Sequence, residues 1–205
     1  GTTIVDGRFG KTRSFAAGEL IQVPSSGSLD NVGASDFSIE TWIRSPNVSL
    51  LDKIVFLRKW VDEGSISQPG FHLRVGGPAD GTSLGRVIFK VNDGSGLYIH
   101  AISLTRMDDA KWHHVAIVRV ADSLKLFVDG VLENAVDIKG RGSFGNNGQV
   151  ELGNIIVPST LDLDEVRVSL IARASQEFNV QAPPKNLSAT PVSSARINLL
   201  WQNGG

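Results

Sequence analysis

The chain has no cysteine. That absence excludes disulfides, thiolate metal sites, iron–sulfur clusters and thiol nucleophiles. A chain of 205 residues buries roughly 70% of the surface its unfolded form exposes, enough to stand without bridges, so the missing cysteine leaves the compartment open. A surplus of positive charge is also lacking: 20 Lys and Arg face 21 Asp and Glu, a formal net charge of −1. Binding to nucleic acid through phosphates, or to an anionic membrane surface, leaves a basic excess, so nucleic acid is not an expected partner. No apolar run approaches the roughly 20 residues of a membrane span, and membrane insertion is not expected either. The first residues show no signal-peptide pattern, which reads as a mature chain or a piece cut from something longer.

Helical spacing is scarce as well, apart from a short turn expected near Ala172–Glu177. What is abundant is glycine, 22 residues against an average near 7%. Glycine supplies the positive φ of tight turns and weakens element interiors, which predicts many short strands. The runs 21–23, 37–43, 71–75, 86–91, 114–120 and 124–128 alternate or run apolar at strand length. Gly76-Gly77-Pro78, Asn92-Asp93-Gly94, Asp129-Gly130 and Asn146-Asn147-Gly148 punctuate them, with Asp129-Gly130 predicting a tight hairpin. The expected fold class is all-β, with two large antiparallel sheets packed face to face.

The order of several motifs is more specific than composition. Gly7-Arg8-Phe9-Gly10-Lys11, then Ile21-Gln22-Val23-Pro24, then Phe37-Ser38-Ile39-Glu40-Thr41-Trp42-Ile43 open the chain. Trp112-His113-His114-Val115-Ala116 leads into Leu126-Phe127-Val128-Asp129-Gly130, then Leu152-Gly153, then Leu163-Asp164-Glu165-Val166-Arg167-Val168. This series resembles the laminin G-like, concanavalin A-like jelly-roll family of lectin and glucanase domains, over residues 1–178. Residues 179–205 read differently. Pro183-Pro184, Leu187-Ser188-Ala189 and Ile197-Asn198-Leu199-Leu200-Trp201 resemble a linker and the first strands of a truncated fibronectin type III domain. Leu199, Leu200 and Trp201 are expected to pack on the main sandwich or on another copy. The two resemblances together imply a secreted or cell-surface multidomain protein, extracellular and tethered to further domains.

The same sandwich hosts several functions. The leading expectation is a non-catalytic carbohydrate-binding or adhesion module that takes polysaccharide or a cell-surface glycan. A structural spacer or a module for a protein partner is the alternative. Sugar sites combine aromatic platforms with planar polar groups, and residues 58–100 offer Arg58, Trp60, Asp62, Asn92, Asp93, Tyr98 and His100. Trp60 stands between a strand and a turn, so its exposure is expected. Tyr98 and His100 alternate and can share a sheet face. The family resemblance implies calcium, for which Asp30, Asp162 and Asp164 are candidates, the last two on one face by alternation. No organic cofactor is expected.

Jelly-roll glycan hydrolases carry Glu-x-Asp-x-x-Glu on one strand. Here the nearest run, Leu161-Asp162-Leu163-Asp164-Glu165, lacks the first glutamate, and Glu165 faces away from its neighbours. No Gly-x-Ser-x-Gly elbow occurs. His113 and His114 point to opposite faces of a strand and read as structural, Asp129 as a turn residue, and the chain as a non-enzyme.

Overall fold

A computed structural model describes residues 2–46, 52–61, 66–154, 160–178, 185–193 and 196–202. Seven strands form one antiparallel sheet: β1 (Thr3–Asp6), β2 (Lys11–Phe15), β4 (Phe37–Arg44), β9 (Trp112–Val120), β10 (Ser123–Val128), β11 (Val131–Asp137) and β13 (Leu161–Ser169), in the order β1-β2-β13-β4-β9-β10-β11. Six others form the second sheet: β3 (Leu20–Val23), β5 (Ile54–Trp60), β6 (Gly70–Val75), β7 (Arg86–Asn92), β8 (Ile99–Arg106) and β12 (Val150–Gly153), in the order β3-β12-β5-β6-β7-β8. The expected all-β, two-sheet jelly-roll sandwich is therefore the fold. A single helical turn, α1 (Gly27–Asp30), is capped by the Ser26 hydroxyl.

Alternation builds the core. Phe37, Ile39 and Ile43 of β4 and Val115 and Ile117 of β9 face inward, against Leu57, Phe71, Leu73, Phe89 and Val91 of the second sheet. Phe37 stacks on Phe71 at 6.4 Å across the two layers, and Phe71 meets Phe89 at 5.7 Å. Such aromatic pairs add to the burial that drives the sheets together. Asp129 and Gly130 adopt φ of 49° and 83°, both positive, as a two-residue turn of matching twist requires. They join β10 to β11, with Val128 opposite Val131. The expected turn near Ala172–Glu177 is a 3-10 turn over Ser175–Glu177.

Part of the outer face of the seven-stranded sheet is covered by the chain itself. After β13, Ile171 accepts a hydrogen bond from the Ser38 hydroxyl, 2.8 Å. Phe178 then packs on Phe127 and His114, at 5.1 and 5.8 Å. Beneath this segment Glu40 is held by Arg167 Nε, 2.6 Å, and by His114 Nε2, 3.1 Å. His113 bridges Asp129 and Asp109 at 2.9 and 3.2 Å. Both histidines thus serve the scaffold.

Two further strands, β14 (Lys185–Ser193) and β15 (Arg196–Gln202), pair antiparallel as a separate ribbon. The side chains of Leu199, Leu200 and Trp201 lie outside what is described.

Candidate functional site: the outer face of the six-stranded sheet

The register of the second sheet lays down one polar row on its outer face, in which His72 is fully buried and Glu151 nearly so. Glu151 of β12 lies opposite Arg58 of β5, Arg58 opposite His72 of β6, His72 opposite Lys90 of β7, and Lys90 opposite His100 of β8. The neighbouring row, one residue along each strand, is Leu57, Leu73, Phe89 and Ala101. Because side chains alternate, that apolar row turns into the core and the polar row turns outward.

One step further along, Trp60 lies opposite Gly70 and Gly70 opposite Asn92. A Cβ on Gly70 would stand 2.6 Å from two carbons of the Trp60 ring. The glycine is therefore what lets the indole lie down on the sheet. Trp60 meets Tyr98 at 6.0 Å and His72 at 5.9 Å, and the Lys90 ammonium sits 3.8 Å from the centre of the Tyr98 ring. That spacing is a cation–π contact. The result is an aromatic corner at the end of a row of planar and charged donors.

Charge on this face is nearly balanced by pairing. Arg58 donates from Nε to Glu151 Oε2 at 2.7 Å, and Gln22 and Gln149 add amide hydrogen bonds to the same carboxylate. Burial pushes the Glu151 carboxyl up, yet the hydrogen bonds and charge of Arg58 outweigh it and hold it below the usual range. Arg74 pairs with Asp80 at 2.6 Å. His100 is driven below its ordinary value, first by burial and then by the Arg74 and Lys90 cations, so it is neutral at pH 7. A neutral imidazole both donates and accepts hydrogen bonds.

The structure sorts the residues expected from sequence. Arg58, Trp60, Tyr98 and His100 come together on this face, Tyr98 from the loop just before β8. Trp60 is not exposed as expected: it is 7% accessible, because Gly70 leaves it a bed on the sheet and Lys90 and Tyr98 lie beside it. Asn92 is fully buried and spends its amide on Ile66 O and Gly94 N, which makes it a loop clasp. Asp93 likewise accepts from Ser95 N and Gly142 N. Asp62 lies outside the described residues. His72 and Lys90 were missed, although polar residues alternating with Phe71, Leu73, Phe89 and Val91 carry that signal.

The carboxylates considered for calcium do not fit a shared ion. Asp30 is bound by Lys59 Nζ at 2.9 Å and by the Ser25 hydroxyl at 2.7 Å. Lys59 is itself fully buried, and a buried ammonium needs such a partner. Asp162 takes Arg44 Nε at 2.7 Å, and Asp164 accepts the backbone N–H of Phe9 and Glu165. Among the described residues no group of three or more His, Asp or Glu side chains could hold a metal. Glu165 is exposed with φ 51°, at a bulge in β13. Among the described residues no helix is long and apolar enough to cross a membrane.

Comparison with known families bears directly on this fold. Residues 15–178 match the family described as the concanavalin A-like lectin/glucanases superfamily. The chain belongs to that superfamily. Among curated proteins none matches significantly. Several solved structures share the fold. The binding domain of Paraclostridial Mosquitocidal Protein 1 is 22% identical with a TM-score of 0.70, over 86% of this chain and 44% of that one. The binding domain of botulinum neurotoxin DC in complex with rat synaptotagmin II is 12% identical with a TM-score of 0.67, over 88% and 44%. The ligand binding domain of botulinum neurotoxin serotype D in complex with N-acetylneuraminic acid is 14% identical with a TM-score of 0.67, over 87% and 43%. The chain of this superfamily member spans less than half the length of those domains, and the likeness is one of fold.

Proposed function

We propose that the chain is a non-catalytic binding module that takes a polysaccharide or surface glycan on the outer face of its six-stranded sheet. The observation that carries the reading is the aromatic corner in which the partly exposed Tyr98 packs on the seated Trp60, set beside the accessible Arg58, Lys90 and His100, with His72 fully buried in the same row. Pyranose rings present apolar C–H faces and a rim of hydroxyls, and a site of this kind offers aromatic area to the first and planar donors and acceptors to the second. Membership of a lectin-containing superfamily supports it, as does a fold shared with domains solved in complex with N-acetylneuraminic acid or with rat synaptotagmin II. The carboxylates on this face are spent on guanidinium partners, Glu151 on Arg58 and Asp80 on Arg74, which suits binding rather than glycoside cleavage by a free carboxylate pair. An extracellular setting and further tethered domains go with this reading.

A protein ligand is the second reading. It is favoured by the exposed apolar side chains of Val61 and Leu97, which adjoin Trp60 and Tyr98 in the chain, and of Ile66. Affinity electrophoresis through a panel of soluble polysaccharides separates the two. Retarded migration of the wild type, lost in Tyr98→Ala and weakened in His100→Ala, supports the glycan reading. Free migration through the whole panel contradicts it, and release of reducing sugar overturns the non-catalytic assignment.

A further inference from the structure

A separate cleft lies on the other sheet. It has a volume of about 370 Å³ and is lined by Arg8, Trp42, Trp112 and Asp129. Arg8 sits at the tip of the β1–β2 hairpin, and the tip is built to hold it. Gly7 N donates to Gly10 O at 2.8 Å. Gly10 takes the positive φ, 78°, that closes the turn. Phe9 fixes the tip to the sheet twice, its N–H donating to Asp164 Oδ2 at 3.1 Å and its ring meeting Trp42 edge-on at 5.7 Å. The Arg8 guanidinium then rests over aromatic rings, 4.9 Å from the centre of Trp42 and 5.1 Å from that of Phe9.

The neighbouring cations on this sheet are spent. Arg44 is paired with Asp162 and Arg167 with Glu40. Arg8 has no hydrogen bond or ion pair to any described residue; its contacts are the two rings. A guanidinium stacked on an aromatic face is fixed in plane and keeps its rim of N–H donors free, the arrangement that receives a carboxylate in bidentate fashion. Asp129 is also held in place, Oδ2 on His113 Nδ1 at 2.9 Å and Oδ1 accepting His114 N at 2.8 Å. A carboxylate has about four acceptor sites, so it retains capacity for a hydroxyl. Trp112 is half-buried, with Arg44 4.9 Å from its ring centre.

We infer that this cleft is a second binding site, for a sugar acid. Arg8 takes the ligand's carboxylate, Asp129 accepts from a hydroxyl, and the Trp112 indole meets the apolar face of the ring. The site lies on the seven-stranded sheet and shares no residue with the six-stranded face. An aliphatic or aromatic acid without hydroxyls would satisfy Arg8 and leave Asp129 unused, and a neutral sugar would leave Arg8 unused.

The test is titration of the full chain with methyl glucuronide and methyl glucoside, followed by the indole N–H resonances in proton–nitrogen NMR. The Trp112 signal should move with the glucuronide, and the glucoside should bind at least about tenfold more weakly, the usual worth of one charge-assisted contact. Arg8→Gln should lose the glucuronide by a similar factor with its melting temperature unchanged, since Arg8 is exposed, and Arg8→Lys should fall between. Tyr98→Ala should bind the glucuronide as the wild type does. Equal binding by wild type and Arg8→Gln would overturn the inference, as would equal binding of the two sugars. Loss of the glucuronide in Tyr98→Ala would place it on the other sheet and overturn it too.

Discussion

Replacing Gly70 by alanine should disturb the candidate site through one added methyl group. The new Cβ would stand 2.6 Å from Trp60 ring carbons, whereas carbon atoms in contact rest at about 3.5–4.0 Å. The indole must therefore lift by about 1 Å, or the β5–β6 pair must part. Overpacking of this kind costs about 1–3 kcal/mol. At about 2–4 °C per kcal/mol for a domain of this size, the melting temperature should fall by about 2–12 °C. Backbone strain plays no part, because Gly70 does not have a positive φ. Trp60 would also be pushed away from Tyr98 and Lys90 and towards water. Tryptophan emission should shift to the red, and polysaccharide retardation should weaken at temperatures where the variant is fully folded. Gly142→Ala is the control, since the atom nearest its new Cβ is 3.7 Å away. If Gly70→Ala matched the wild type in melting, emission and retardation, the argument that glycine seats the tryptophan would be wrong.

Three other outcomes are expected. The Asp129 hydrogen bond, working against burial and helped by the charges of Asp129 and Asp109, holds the His113 imidazole above its ordinary value near 6.5. A folded-state value above the unfolded one gives stability that is complete below the unfolded value and is lost as pH rises through the folded one. The melting temperature of wild type minus His113→Gln should therefore shrink as pH rises above the ordinary imidazole range; a difference that does not vary with pH contradicts this. Glu133 of β11 accepts the N–H groups of Leu104 and Thr105 on the edge of β8, so Glu133→Ala should cost about 1–3 kcal/mol in urea unfolding, and a neutral change would show that water replaces it freely. Calcium or a chelator should leave the melting temperature within about 1 °C, because a ligand that does not bind the folded state cannot stabilise it; a rise of several degrees with calcium would reveal a site the paired carboxylates do not provide.

How far the fold could be read ahead depended on whether local signals were enough. In β4 the alternation is legible, β9 is a strand-length apolar run, and the turn at Asp129-Gly130 is written in two adjacent residues. β5 is harder. A register shift between Val55 and Leu57 breaks the alternation, and Lys59 is a buried charge whose partner Asp30 lies 29 residues earlier. The same non-local pairing explains why Asp30 resembled a calcium ligand: its cation is invisible in the local sequence. Arg58, Tyr98 and His100 were legible as polar or aromatic residues in strand-like runs. The seating of Trp60 was not, because it depends on Gly70, ten positions away and adjacent only across the β5–β6 ladder. Asn92 and Asp93 looked like ligand groups because a loop-clasping amide or carboxylate and a binding one have the same chemistry. Only the positions of Ile66 O, Gly94 N and Gly142 N tell them apart. Arg8 belonged to a recognised opening motif, but its lack of a carboxylate partner among the described residues is a property of the folded surface.

The central claim is that the outer face of the six-stranded sheet binds saccharide. Backbone chemical-shift mapping with an oligosaccharide from any polysaccharide that retards the protein tests it most directly. The account predicts that the perturbed amides cluster at Arg58, Trp60, His72, Lys90, Tyr98 and His100. Perturbations confined to β4, β9 and β13, with this row unmoved, would contradict it.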